Sequence, residues 1–145
     1  MLKPAKLSDQ FSTSMQIAVS DLIEVKAQGF HTVINNRPDG EDSDQPSNKE
    51  FADAASGLGL EYHYIPINLN TISEGEINEM QSALANAKEP VFSFCRTGNR
   101  CTILWSILSI QQDVENSEKY LEQAANAGFD MYKQLPLLRR FIDGI

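Results

Sequence analysis

Cysteine is scarce in this chain. Only two occur, Cys95 and Cys101, on either side of one short loop, and such a pair is no disulfide framework. Histidine is equally scarce, with two residues. No Cys-x-x-Cys or His-x-x-x-His spacing exists, which argues against a structural zinc site; no cofactor is expected. Basic residues are outnumbered, 12 against 20 acidic ones, for a net charge of −8. An acidic surface argues against nucleic acid and anionic membrane as partners. It leaves room for an anionic substrate held by one local basic loop. No apolar run approaches the roughly 18 residues that span a bilayer. Residues 1–6 contain no apolar h-region, so a cytoplasmic protein is expected, or a periplasmic one if a leader was removed.

What is present is ordinary for a globular protein. The 145 residues are 41% apolar and 22% charged, enough for one domain over 1–145 with a core that needs no staples. Strand-like and helix-like segments alternate. A short irregular strand is expected within Asp9–Met15, and a helix capped by Ser20 and Asp21 through Gln28, stopped at Gly29. His31–Asn35 reads as a buried strand, followed by a polar loop from Asn36 to Pro46. Ser47 and Glu50 form one capping box, and Ser73 and Glu76 a second, each opening an amphipathic helix. Glu61–Ile65 and Val91–Phe94 read as strands. Thr102–Gln112 is apolar nearly all round, the pattern of a central helix. Ser117–Asn126 makes a further helix, and Met131–Ile142 a last one interrupted by Pro136. The order predicts an α/β fold with a mostly parallel central sheet flanked by helices.

The chemistry is expected where Val91–Phe94 runs into Cys95-Arg96-Thr97-Gly98-Asn99-Arg100. Sites in open parallel sheets form outside the carboxyl ends of strands. Loop N–H groups and a helix N-terminus converging there favour an anion, phosphate or sulfate. The same field favours a Cys95 thiolate. Gly98 permits a positive φ, and the Arg100 guanidinium offers paired donors to two oxygens of a phosphate. Cys95 and Arg100 are therefore the candidate catalytic pair. Arg96, Thr97, Gly98, Asn99, Cys101 and Thr102 are the candidate phosphate-binding residues.

Two families share this loop. It resembles rhodanese-like sulfurtransferases, many of which carry Cys-Arg-x-Gly-x-Arg. Cysteine-dependent phosphatases have five residues between Cys and Arg, often with His before the Cys; here there are four, and Phe94 precedes. The rest of the chain points the other way. Gln10-Phe11-Ser12 with Gln16, the run from Gly29 to Glu41 with its Asn-Arg-Pro-Asp-Gly-Glu stretch, Tyr64-Ile65-Pro66-Ile67, and the Cys95 loop with Trp105 resemble one group. It is the phosphatase-like domain found alone in bacteria or at the N-terminus of beta-lactamase hydrolase-like proteins. The resemblance spans about residues 8–112. It implies a dual-specificity-phosphatase-like fold and a thiophosphate intermediate on Cys95. A phosphorylated small molecule or phosphoprotein would be the partner.

Related phosphatases place an aspartate general acid after the strand matching Tyr64–Ile67, where this chain has Asn68-Leu69-Asn70. Asparagine cannot protonate a leaving oxygen. Weak activity is therefore expected, with sulfur transfer through a Cys95 persulfide, or ligand binding without turnover, as alternatives. Related enzymes also follow the loop arginine with a hydroxyl residue that stabilises the thiolate, where this chain has Cys101. A Cys95–Cys101 disulfide stays open. Arg37, Asp39 and Asn68 are candidates for a substrate or acid loop. For Asp39 and Glu41 the turn chemistry of Pro-Asp-Gly favours a solvated turn over an acid role. His31, His63, Trp105, Tyr62 and Tyr64 are read as packing or surface residues.

Overall fold

The computed structural model describes residues 1–145. Five strands form one sheet in the order β1-β2-β5-β3-β4: β1 (Ala5–Ser8), β2 (Phe11–Ser14), β3 (Thr32–Asn35), β4 (Glu61–Tyr64) and β5 (Val91–Phe94). Strands β2, β5, β3 and β4 run parallel, and β1 closes one edge antiparallel to β2. The expected strand within Asp9–Met15 is β2. Its hairpin partner β1 carries no sequence signal, because only Leu7 of its four residues is buried and an edge strand with one covered side chain shows no alternation.

The central strands divide their side chains between two helical layers. Val33, Phe92 and Phe94 face α1 (Leu22–Ala27) and α2 (Asn48–Leu58), where they meet Leu22, Val25, Phe51 and Ala55. The Phe51 and Phe94 rings lie 4.9 Å apart, within the range of favourable aromatic pairing. Ile34 and Val91 face the opposite layer, built from α3 (Glu74–Asn86), α4 (Asn99–Gln112), α5 (Ser117–Asn126) and α6 (Leu135–Leu138). In α4 every residue from Cys101 to Leu108 is buried, and so is Ile110. That burial explains a helix without a polar face: α3, α5 and α6 pack round it on the side away from the sheet.

The caps follow the sequence unevenly. Ser47 accepts the Glu50 N–H at 3.2 Å and Glu50 accepts the Ser47 N–H at 2.8 Å, the expected reciprocal box. The Ser73 hydroxyl instead donates to the Glu76 carboxylate at 2.7 Å and caps no backbone group. Asp21 accepts the Ala18 N–H at 2.8 Å, ahead of a 3-10 turn that leads into α1. Pro136 does not interrupt the last helix. It sits in the first turn of α6, where a missing N–H costs nothing, and a 3-10 turn over Tyr132–Gln134 precedes it. No helix is long and apolar enough to cross a membrane.

Candidate active site

Cys95 leaves the carboxyl end of β5, and α4 begins four residues later at Asn99. The helix starts three residues earlier than its apolar stretch predicts. Asn99, Arg100 and Cys101 thus form its first turn, which holds no acidic residue; Thr97 Oγ1 accepts the Asn99 N–H at 3.2 Å. Free N–H groups at such a terminus attract anions. The loop is fixed from outside. Cys95 N–H bonds the Ser14 carbonyl, and Gln16 N–H bonds the Arg96 carbonyl at 3.1 Å, so the end of β2 carries one rim of the site.

Gly98 is the pivot. Its φ is +96°, and a Cβ there would lie 2.9 Å from Phe129 Cζ and 3.2 Å from Thr13 Oγ1. Its N–H donates to Cys95 Sγ at 3.1 Å. Its carbonyl accepts the Thr13 and Thr102 hydroxyls at 3.0 and 2.8 Å. Thr102 thus braces the loop from behind, fully buried, instead of facing the cleft. Gly98→Ala combines a disfavoured φ with a close contact. It is expected to destabilise the protein by about 1–3 kcal/mol in denaturant unfolding.

Cys95 is buried and its thiol is lowered to about 5. The adjacent Cys101 thiol is the largest cause; the backbone amides of Cys101, Thr97 and Gly98 add to it, and burial opposes them. Cys101 is itself fully buried, and that burial first, then the neighbouring Cys95 thiolate, raise its own pKa. It therefore stays protonated as a donor. Both thiols are free. Cys101 thus faces the Cys95 sulfur and, fully buried, lines no open anion site. Alkylation of Cys95 by iodoacetamide, which consumes the thiolate, is expected to rise with pH around a midpoint near 5, well below the roughly 8.5 of an ordinary thiol. Cys101→Ala should move that midpoint upward, and Cys101→Ser should largely keep it.

Arg100 is engaged. Its two terminal nitrogens donate to both oxygens of Glu41, at 2.6 and 2.8 Å, and one also donates to the Ile67 carbonyl at 2.9 Å. Glu41 also accepts from Arg37 Nε at 3.0 Å. Arg37 is 4% exposed and donates its other branch to Gln16 Oε1 at 2.9 Å. Bonding to Arg100 first, and also to Arg37, holds the Glu41 carboxyl below the usual carboxylate range, against the opposing effect of burial. A cleft of about 410 Å³ opens here, lined by Glu41, Asn68, Asn70, Arg96, Thr97 and Arg100 among others.

The other candidates fall as follows. Asn68 lines the cleft, but its side-chain oxygen accepts the Asn70 N–H at 2.9 Å. Asp39 turns away: its carboxylate accepts the Asn48 N–H at the start of α2 at 2.8 Å, and its own N–H bonds the Tyr64 hydroxyl. Turn chemistry describes Asp39 well. It does not describe Glu41, whose partner Arg100 is 59 residues away; no local signal marks that contact. Gln16 and Thr13 likewise act through partners distant in the chain.

A mostly parallel sheet with a β5–cysteine loop–α4 unit at its carboxyl edge defines a phosphatase fold of the protein tyrosine and dual-specificity type. A candidate phosphatase from Neisseria meningitidis Z2491 superimposes with a TM-score of 0.82 at 24% identity, over 95% of this chain and 97% of that one. The active form of Tk-PTP superimposes at 0.72 with 17% identity, over 98% of this chain and 97% of that one. The chain belongs to the family described as beta-lactamase hydrolase-like protein, phosphatase-like domain, whose model matches residues 5–114. A beta-lactamase hydrolase-like protein of Agrobacterium fabrum is 36% identical over 104 residues, covering 72% of this chain and 24% of that protein. The chain spans about a quarter to a third of the length of the curated relatives it matches.

Proposed function

We propose that the protein is a cysteine-dependent phosphomonoesterase. What carries the reading is the Cys95 sulfur, held as a thiolate by the Cys101 thiol and the Gly98 amide at the start of α4. The thiolate attacks phosphorus, an S–P bond forms, and the P–O bond to the leaving group breaks. Loop amides from Thr97 to Arg100 and the Arg100 guanidinium hold the equatorial oxygens, whose charge they stabilise in the transition state. Water then cleaves the S–P bond, releasing phosphate and restoring the thiolate. Asn68 supplies no proton where related enzymes keep an aspartate, so aryl phosphates, whose oxygens leave readily, are the favoured substrates.

The asparagine at that position also favours a second reading, transfer of a sulfane sulfur through a Cys95 persulfide, which requires no general acid. A side-by-side assay of aryl phosphate hydrolysis and thiosulfate-to-cyanide transfer, with Cys95→Ser as control, separates the two. Cys95-dependent release of phosphate without thiocyanate formation is the expected result.

A further inference from the structure

The cations around the cleft are not all matched. Arg37 and Arg100 share the Glu41 carboxylate. Glu41 takes one N–H from each terminal nitrogen of Arg100, and the Ile67 carbonyl takes another. The Nε edge of that guanidinium is left for a phosphoryl group at Cys95, whose charge already acts on Arg100. Arg96 is exposed, and its side chain forms neither an ion pair nor a hydrogen bond. Its carbonyl is pinned by the Gln16 N–H, so the side chain starts from a fixed backbone. It shares the cleft with Asn68, Asn70 and Asn99. The side-chain amides of Asn70 and Asn99 bond nothing in the protein, and Asn68 uses only its oxygen. Leu69 is the one apolar residue in the lining, so an aromatic leaving group finds little to pack against. A rim arginine is commonly no more than solvated. This one stands in a chain of net charge −8, among uncommitted donors, where no acid serves the leaving group.

Resting on the phosphatase reading, we infer that the natural substrate is a phosphoanhydride, a diphosphate ester whose terminal phosphate passes to Cys95 while Arg96 and the asparagine amides hold the phosphate that leaves. An alkyl phosphate has a second pKa of about 6, so it departs as an anion and needs no proton. An aspartate at position 68 would repel that anion; asparagine does not. The same substitution that removes the acid thus suits a charged leaving group. In the first step the Cys95 sulfur bonds the terminal phosphorus, and the bond from that phosphorus to the bridging oxygen breaks. The bridging oxygen keeps the electron pair and leaves as part of the alkyl phosphate. In the second step water bonds phosphorus, its proton passes to solvent, and the S–P pair returns to Cys95. Glu41 stays on Arg37 and Arg100 throughout.

The test compares propyl diphosphate, propyl phosphate and nitrophenyl phosphate by release of inorganic phosphate. Propyl diphosphate is expected to exceed propyl phosphate in kcat/KM by about a hundred-fold or more. Arg96→Gln should lower kcat/KM for propyl diphosphate about tenfold more than for nitrophenyl phosphate. Arg139→Gln, which removes an equal charge outside the cleft, should leave that ratio in place. Asn68→Asp should slow the diphosphate and speed propyl phosphate. In a Cys95→Ser background, inorganic pyrophosphate should bind about tenfold tighter than inorganic phosphate by calorimetry, and Arg96→Gln should remove the advantage. A diphosphate no faster than propyl phosphate would overturn the inference, as would equal Arg96→Gln losses on the diphosphate and nitrophenyl phosphate. A pyrophosphate advantage that survives Arg96→Gln, or an Asn68→Asp protein faster on the diphosphate, would overturn it as well. If no phosphate compound is turned over in a Cys95-dependent way, the phosphatase reading fails and the inference falls with it. The pyrophosphate measurement would still decide whether the cleft holds a second phosphate.

Discussion

Cys95→Ser is expected to abolish aryl phosphate turnover, with kcat falling by roughly a thousand-fold or more. A serine hydroxyl is a poor nucleophile without a base. The environment that favours the thiolate, the Cys101 thiol and the Thr97, Gly98 and Cys101 amides, is too weak to ionise an alcohol. Because the substitution is nearly isosteric and the Gly98 N–H can bond an oxygen as well as a sulfur, oxyanion binding and stability should survive. Steady-state kinetics with parallel sulfate binding checks both halves. Retained turnover in a well-folded Cys95→Ser protein would mean that Cys95 is not the nucleophile.

Arg100→Ala carries the second largest expected effect, about a hundred- to a thousand-fold in kcat, because it removes the guanidinium that the proposed reaction assigns to the equatorial oxygens. Arg100→Lys should recover little of it, since an ammonium is a point charge that cannot bond two oxygens in a fixed plane. The substitution also frees Glu41 from one partner and the Ile67 carbonyl from a donor. A modest stability loss is therefore expected alongside. Comparing kcat with KM separates transition-state from ground-state binding: a change confined to KM would mean that Arg100 only captures substrate.

The fold was legible where one local rule decides. The β-branched run before Asn35 and the apolar run before Cys95 are strands β3 and β5. The Ser47–Glu50 spacing caps α2, and a helix with no polar face proved to be buried α4. It was less legible where neighbours decide. Strand β1 exists because β2 pairs with it, and Ser73 turned to Glu76 although the same spacing at Ser47 caps a backbone N–H. The first turn of α4 carries no such signal, because Asn99, Arg100 and Cys101 lack the apolar periodicity that marks the rest of the helix.

The site divides in the same way. Cys95, Gly98 and Arg100 are contiguous, so their spacing announces one loop. The settings of Cys101 and Glu41 depend on packing. Cys101 is visible as a thiol in place of a hydroxyl, but the fold alone puts it beside Cys95. Glu41 reads as part of a polar turn, and the same turn sends Asp39 to the N-terminus of α2 and Glu41 to Arg100. Two acidic residues two positions apart thus take unrelated tasks, which no pattern of residue types distinguishes.

Rapid acid quench of the enzyme with a nitrophenyl phosphate, followed by peptide mass spectrometry, tests the proposed covalent phosphorylation of Cys95 during turnover. A phosphoryl group is expected on the sulfur of the peptide containing Cys95, appearing within the first turnover and absent from Cys95→Ser. Phosphate release with an unmodified Cys95, or a modification that maps to another residue, would contradict it.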